Sequence, residues 1–155
     1  MITAEQKELL KSMKLFLFDM DGTLYLGNRL YDFTIELLDT IKANGGKYLF
    51  MTNNSSKSVV DYIKKLHNLG IEATREDFMT SSQATAFYLH KYHEGQTLYV
   101  CGTESLKEEL RMEGFIVTTE LDKVECIVMG FDTELTFQKL HDVSYLLLTR
   151  PELPY

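Results

Sequence analysis

The sequence has few cysteines, few basic residues relative to acidic ones, and no long apolar run. Its two cysteines, Cys101 and Cys126, each lie inside a short apolar stretch. That setting is typical of small buried thiols in strands, and it does not favour a disulfide framework or a metal site. The chain has 16 lysine and arginine residues against 23 aspartate and glutamate residues, a formal net charge of −7. A polyanionic nucleic acid is therefore excluded as a favourable partner.

The hydrophobic residues are spread along the chain in short segments. No stretch approaches the length needed to span a bilayer, so no membrane partner is predicted. The first residues include Glu5 and Glu8 and lack the apolar centre of a secretory signal. Together these features predict a cytoplasmic protein. The 155 residues are 45% hydrophobic and 25% charged, a globular balance whose length predicts one domain, or one domain and part of another.

The most informative stretch is residues 14–25, which read KLFLFDMDGTLY. The apolar run at residues 15–18 is short enough to be a strand buried on both faces. Asp19 and Asp21 follow directly, at the carboxyl end of that strand, where ligands usually bind in open α/β sheets. Gly22 allows the chain to turn tightly beside them. Two carboxylates placed so close repel each other unless a cation lies between them, and Mg²⁺ prefers such oxygen ligands.

The same residues match a known signature, D-x-D-G-T-[LV] after an apolar strand, without departure from residue 19 to residue 24. The sequence thereby resembles the haloacid dehalogenase (HAD) superfamily of aspartyl phosphotransferases. One alternative is a plain Asp-Gly turn. Another is a calcium loop, but the acidic residues that such a loop needs at alternate positions are absent.

A second polar cluster follows the next predicted strand, residues 47–51. It consists of Thr52, Asn53, Asn54 and Ser55. Hydroxyl and amide groups there can donate hydrogen bonds to phosphate oxygens without adding negative charge. By itself the cluster favours a plain polar turn with a helix cap. Together with the first motif, it resembles the NagD-like or 4-nitrophenylphosphatase branch of the superfamily.

Apolar periodicity and glycines predict the other elements. Helices are predicted at residues 3–12, 31–44, 56 onward, 81–89, 103–112 and from about 133 to 149. Gly45-Gly46, Gly70 and Gly114 are predicted to end the second, third and fifth of these helices, and Ser58 and Asp61 to form a capping box at the third. Strands are predicted at residues 78–80, 98–101 and 124–129, and a polar loop at residues 26–30. Gly102 and Gly130 follow strands without beginning a G-x-G-x-x-G motif, so they are interpreted as turns.

The resemblance extends over nearly the whole chain, because YVCGTESLKEEL and VMGFDTELTF are similar to the cap of that family. It implies an α/β fold with a Rossmann-like parallel sheet. Residues 1–80 would form the N-terminal part of the HAD-like core, and residues 81–155 part of a C2-type α/β cap domain.

Two elements that the family carries after its cap are missing from these residues: a lysine that steadies the phosphate, and a G-D-x-x-x-[TS]-D loop. The chain is therefore expected to be the front part of a longer enzyme, inactive by itself. The first strand would then lie at an exposed apolar sheet edge, which favours poor stability, a homodimer or another form of association.

The resemblance also implies a Mg²⁺-dependent phosphatase acting on a small phosphorylated metabolite. Asp19 would be the nucleophile and Asp21 the general acid and base, and both would hold the metal. Phosphate would be bound by Thr52 and Asn53, with Met20 and Gly22 contributing backbone groups, and Asn54 would be a weaker contributor. The substrate cannot be read from the sequence, because family members act on nucleotides, sugar phosphates, pyridoxal phosphate and aryl phosphates. Two alternatives are a silent interaction or regulatory module and a phosphotransferase.

The remaining polar residues carry weaker signals. The four histidines, His67, His90, His93 and His141, are scattered and are interpreted as surface or core residues. The pairs Lys64-Lys65 and Glu108-Glu109 are predicted to lie on solvated helix faces.

Overall fold

The computed structural model describes residues 3–155. Its helices are α1 (Ala4–Ser12), α2 (Thr34–Ala43), α3 (Val59–Asn68), α4 (Ser81–Tyr92), α5 (Glu104–Met112) and α6 (Phe137–Thr149). Its strands are β1 (Leu15–Asp19), β2 (Tyr25–Leu26), β3 (Arg29–Leu30), β4 (Lys47–Thr52), β5 (Phe78–Thr80), β6 (Thr97–Cys101), β7 (Ile116–Val117) and β8 (Cys126–Met129). The fold is α/β, as predicted. No helix among the described residues is both long and apolar enough to cross a membrane.

The chain folds as two compact units. The first comprises the described residues as far as Thr52 together with Ile63–Met79, and the second comprises Asn53–Tyr62 and Thr80–Tyr155. The segment that follows β4 therefore belongs to the second unit, together with the first residues of α3 as far as Tyr62, whereas the rest of α3 belongs to the first unit. The assignment of residues 1–80 to a core and 81–155 to a cap stays a prediction.

The first unit contains a three-stranded sheet in the order β1-β4-β5, in which β1 and β4 are parallel. Its apolar interior includes Phe50, whose ring lies 5.4 Å from that of Phe78. Among the described residues β1 pairs only with β4. Leu15 and Leu17 are 62% and 57% exposed. The prediction that this strand is buried on both faces is therefore wrong for this structure, because the face that carries Leu15 and Leu17 is left open by the described residues.

Two local predictions in the first unit need correction. Residues 25–30 form a small antiparallel hairpin, β2–β3, and not a loop without strands. Gly27, with φ of +59°, lies between its strands. The second helix begins at Thr34 and not at residue 31, because the preceding residues form a turn in which the Thr34 N–H donates a hydrogen bond to the Tyr31 carbonyl at 3.0 Å. The buried Thr34 hydroxyl also donates a hydrogen bond to the Leu24 carbonyl at 2.6 Å. That bond ties the start of α2 to the segment after Asp21. Gly45 and Gly70 end their helices with positive φ, as predicted.

The second unit contains a three-stranded parallel sheet in the order β7-β6-β8. Its central strand β6 is covered on both faces. Leu98 and Val100 pack in one apolar cluster with residues of α4 and α5, whereas Tyr99 and Cys101 pack in another with residues of α6. Alternating residues of one strand thus belong to two different cores, the pattern of a sheet between helical layers. The short strand β7 was not predicted.

Candidate active site

Asp19 and Asp21 lie at the carboxyl end of β1, as predicted. β1 pairs in parallel register with β4, and Asp19 is opposite Met51. Thr52 therefore ends the neighbouring strand one position beyond that pair. Both aspartates are exposed, whereas Met20 between them is 1% exposed. A buried methionine thus anchors the turn while both carboxylates remain open to solvent.

The turn after β1 is held by its own backbone. The Met20 carbonyl accepts hydrogen bonds from the Thr23 and Leu24 N–H groups at 3.2 and 2.9 Å, and the Gly22 N–H donates to the Tyr25 carbonyl at 2.7 Å. Gly22 has φ of +85°, a conformation that a side chain would strain. The motif glycine is therefore required by the turn itself.

Thr23 contributes a side-chain contact to this site. Its hydroxyl oxygen lies 3.3 Å from Asp19 Oδ2 and donates a hydrogen bond to it. Such a bond restricts the rotation of the Asp19 carboxylate. Thr23 is part of the sequence motif, but no role was predicted for it. Its position four residues after Asp19, across a tight turn, was the available signal.

The polar cluster after β4 divides between the two units. Thr52 ends β4 in the first unit, and Asn53 and Asn54 begin the second. Asn53 is exposed. Asn54 Oδ1 accepts hydrogen bonds from the Ser56 backbone N–H at 2.9 Å and from the Ser56 hydroxyl at 2.7 Å. The Asn54 oxygen therefore orders the loop. The joint action of Asp19 with Asn53 and Asn54 stays a prediction.

The helix after this loop begins with the predicted capping box. The Ser58 N–H donates to Asp61 Oδ2 at 2.9 Å, and the Asp61 N–H donates to the Ser58 hydroxyl at 3.3 Å. The helix begins at Val59, three residues later than predicted. The residues between Asn54 and Val59 are thus a defined turn and cap, and they are not the first turn of the helix.

A divalent cation at the candidate site would depend on the oxygen ligands that Asp19 and Asp21 provide. Among residues 3–155 no group of three or more histidine, cysteine, aspartate or glutamate side chains is placed to hold a metal ion. Asp19 and Asp21 therefore offer two carboxylates at most. Mg²⁺ commonly uses one or two carboxylates together with water and substrate phosphate. The residues present fit Mg²⁺ and do not fit an all-protein cage.

The other candidates have structural explanations. Cys101 and Cys126 are free and buried in β6 and β8, as predicted. Burial raises the pKa of both thiols, and Asp132 nearby raises the pKa of Cys101 further. Both sulfurs are therefore poor nucleophiles. The four histidines are exposed or half-buried: His67, His90, His93 and His141.

The prediction of two solvated pairs on helix faces is wrong for one member of each pair. Lys65 is half-buried, and its Nζ lies 4.0 Å from the centroid of the Tyr25 ring. Glu109 is fully buried, and its Oε2 accepts a hydrogen bond from the Val59 N–H at 3.3 Å. Two adjacent charged residues on a helix are therefore not always both exposed, because a segment distant in the sequence can pack over one of them.

Known proteins of one family match most of this chain. A sequence model of haloacid dehalogenase-like hydrolases matches residues 16–116. An acid sugar phosphatase from Staphylococcus aureus is 32% identical over 131 residues, which are 84% of this chain and 50% of that protein. The chain spans about half the length of the curated relatives it matches.

Solved structures of similar sequence share the fold. A 4-nitrophenylphosphatase from Thermotoga maritima is 33% identical with a TM-score of 0.83, covering 90% of this chain and 52% of that one. A putative NagD protein is 33% identical with a TM-score of 0.82, covering 87% and 53%. A glycerol phosphate phosphatase from Mycobacterium tuberculosis, solved in complex with magnesium, is 27% identical with a TM-score of 0.80, covering 88% and 42%.

The α/β fold and these matches place the chain in a class of hydrolases. The chain belongs to the haloacid dehalogenase-like hydrolases. The predicted resemblance to NagD and to the 4-nitrophenylphosphatases is confirmed.

Proposed function

We propose that this chain carries the nucleophile-bearing part of a Mg²⁺-dependent phosphate monoester hydrolase. The observation that supports this most strongly is the arrangement at residues 19–21, where two exposed carboxylates flank a buried methionine at the end of β1. The related acid sugar phosphatase, 4-nitrophenylphosphatase and glycerol phosphate phosphatase act on phosphate esters by name, which supports the same reaction class.

Asp19 is the proposed nucleophile. One of its carboxylate oxygens attacks the phosphorus atom, the bond from phosphorus to the leaving alkoxide breaks, and an aspartyl-phosphate forms. Thr23 donates its hydrogen bond to Oδ2. That contact leaves Oδ1 as the attacking oxygen, because a hydrogen-bonded carboxylate oxygen is the weaker nucleophile of the pair.

Asp21 is the proposed general acid and base. It gives its proton to the leaving oxygen in the first step. In the second step it takes a proton from the water that attacks phosphorus, and the bond from phosphorus to Asp19 breaks. Its exposed position gives it access to both the alcohol and the water.

The phosphate group is proposed to be bound by neutral donors. Thr52 and Asn53 would donate from the end of β4 and the following residue, and the backbone around Met20 and Gly22 would donate from the turn after β1. Asn54 is assigned an orienting role, because its oxygen already accepts two hydrogen bonds from Ser56.

The Asp19 carboxylate and the Asp21 backbone carbonyl are the proposed protein ligands of Mg²⁺. When bound, the ion would offset the negative charge that the carboxylates and the substrate phosphate share. The magnesium complex of the related glycerol phosphate phosphatase supports this choice of metal. The 155 residues contain neither the family lysine nor its Gly-Asp loop. We therefore propose that this stretch alone hydrolyses phosphate esters slowly or not at all.

One observation favours a second function. Within residues 3–155 one edge of β1 has no strand partner, and Leu15 and Leu17 on this strand are exposed, so this edge can bind another polypeptide strand. A catalytically silent interaction or regulatory module is therefore the alternative proposal. Transfer of phosphate to an alcohol instead of water would use the same nucleophile, and product analysis with an added acceptor alcohol separates the two reactions. A cytoplasmic location is proposed from the composition and the two free thiols.

The proposed function is tested by hydrolysis of 4-nitrophenyl phosphate with and without Mg²⁺. The assay should include this chain and any longer form of the protein that contains it. Mg²⁺-dependent turnover that disappears in Asp19→Asn supports the assignment. The matched control is Asp39→Asn, because Asp39 is an exposed aspartate on α2. Turnover that survives Asp19→Asn would contradict the nucleophile assignment.

A further inference from the structure

The loop that follows Asn54 is fastened at three points to residues far along the chain. The Thr103 hydroxyl donates to the Ser56 carbonyl at 3.0 Å. The Phe131 N–H donates to the Ser55 hydroxyl at 2.7 Å. Glu109 accepts from the Val59 N–H. All of these residues belong to the second unit, so this unit holds the loop that begins one peptide bond after Thr52.

Thr103 makes the most specific of these contacts. It is the N-cap of α5, where its oxygen accepts a hydrogen bond from the Leu106 N–H at 3.3 Å. A hydroxyl has a single proton, and Thr103 donates it to Ser56. The side chain is 1% exposed. One buried group therefore both starts α5 and holds the loop.

Glu109 provides a second attachment from the same helix. A fully buried carboxylate is costly unless hydrogen bonds satisfy it. Its contact with the Val59 N–H places negative charge at the start of α3, where the helix dipole favours it. Two sets of contacts thus hold the start of α3: the Ser58/Asp61 capping box and the hydrogen bond from the Val59 N–H to Glu109.

Gly130 allows the third attachment. A side-chain carbon at this position would lie 3.1 Å from Ser55 Oγ and 2.6 Å from a terminal carbon of Leu106. The glycine after β8 therefore lets the Ser55 segment approach closely. The earlier interpretation of Gly130 as a simple turn omitted this role, because the approaching segment lies 75 positions earlier in the sequence.

We propose that Thr103 and Glu109 are positioning residues for the phosphate-binding segment, setting Asn53 and Asn54 through the backbone of Ser56 and Val59. This inference rests on the proposed function, since it assigns these side chains to the same site. Its consequence is that phosphate affinity depends on side chains about 50 positions away that contact no substrate. Neither residue is a catalytic residue.

The test compares three variants: Thr103→Val, Thr103→Ser and Thr136→Val. Thr136 is the matched control, because it is also an N-cap threonine of the second unit and accepts from the Lys139 N–H in the same way. Both valine variants lose a helix cap, but only Thr103→Val loses the bond to Ser56. Serine at position 103 retains the hydroxyl.

The first readout is amide hydrogen exchange, followed residue by residue by NMR without ligand. In Thr103→Val we expect exchange at Ser56 and Val59 to accelerate about fivefold or more, because loss of the hydrogen bond to the Ser56 carbonyl lets the whole loop open more often. Thr103→Ser should restore the slow rates. Thr136→Val should accelerate exchange at Lys139 and leave Ser56 and Val59 unchanged. Unchanged exchange at Ser56 in Thr103→Val, or equal acceleration there in Thr136→Val, would overturn the proposal.

The second readout is titration with inorganic phosphate and Mg²⁺, following the Asn53 and Asn54 amide resonances. We expect weaker phosphate binding in Thr103→Val by about fivefold, with Thr103→Ser and Thr136→Val close to the unmodified chain. Equal affinity in Thr103→Val would overturn the positioning role. If phosphate leaves these resonances unchanged in the unmodified chain, the proposed phosphate-binding role of Asn53 and Asn54 fails, while the exchange rates still decide whether Thr103 holds the loop.

Discussion

The Tyr99 hydroxyl donates a hydrogen bond to Asp142 Oδ2 at 3.0 Å, and this contact joins the central strand β6 to helix α6. Burial raises the pKa of Tyr99, and the bond to Asp142 raises it further. The tyrosine is therefore a permanent donor. Gln138 donates to the other oxygen of the same carboxylate at 2.7 Å. The buried carboxylate is thus satisfied from two elements.

Removing the Tyr99 hydroxyl should destabilise the second unit. We expect Tyr99→Phe to lower the free energy of unfolding by about 1.5–3 kcal/mol, the range for a hydrogen bond to a charged group. Urea denaturation measures this change. Tyr155→Phe is the control, because Tyr155 is 86% exposed. An equally small effect of both substitutions would contradict the role assigned to Tyr99.

The same contact predicts how stability depends on pH. Burial acts to raise the pKa of Asp142, but the hydrogen bonds from Gln138 and Tyr99, together with the neighbouring His141, outweigh it and hold the pKa below its ordinary value of 3.8. A lowered pKa contributes stability above the unfolded-state pKa and loses it as the pH falls through the folded-state pKa. Denaturation curves should therefore show less acid destabilisation below pH 3.8 in Tyr99→Phe than in the unmodified chain. Parallel pH profiles of the two proteins would be inconsistent with this linkage.

Lys65 and Tyr25 form a cation–π contact that local sequence does not reveal. Lys65→Met keeps a similar stem but removes the charge over the ring. We expect a loss of about 0.5–2 kcal/mol in the free energy of unfolding, the range for such contacts. Lys64→Met is the adjacent control, since Lys64 is exposed. If the two methionine variants unfold alike in urea, the contact adds nothing to stability.

Asp21 should affect turnover more than binding. In a form of the protein that hydrolyses 4-nitrophenyl phosphate, Asp21→Asn is expected to lower kcat about 10²–10⁴-fold, the usual contribution of general acid–base catalysis. KM should change less, because the asparagine still fills the exposed position. Steady-state kinetics measure both constants. A fall in kcat/KM that comes from KM alone would instead assign Asp21 to binding.

The exposed edge of β1 should drive association of the chain. Leu17→Lys places a charge on this edge, which discourages strand pairing. We expect sedimentation of the variant to show fewer associated species, and its melting to depend less on protein concentration. Leu26→Lys is the control, because Leu26 is 65% exposed and belongs to the separate β2–β3 hairpin. Cooperative, concentration-independent melting of the unmodified chain would count against this prediction.

Local sequence patterns predicted the element order well where each element has its own signal. Gly45, Gly70 and Gly114 mark helix ends because their positive φ angles are costly for other residues. The Asp19–Gly22 turn was predicted because it needs only neighbouring residues. The hairpin at residues 25–30 and the short strand β7 were missed, because two-residue strands carry no periodicity.

The sequence by itself determined the α/β class, the aspartate pair after β1 and the position of most helices, since these depend on residues within a few positions of one another. Only the tertiary structure decided that Glu109 is buried, that Lys65 covers Tyr25 and that Thr103 holds the loop after Asn54. Each of these contacts joins residues about 40 to 50 positions apart. Such pairs leave no local sequence pattern, because the two residues come into contact only when the elements that carry them pack together.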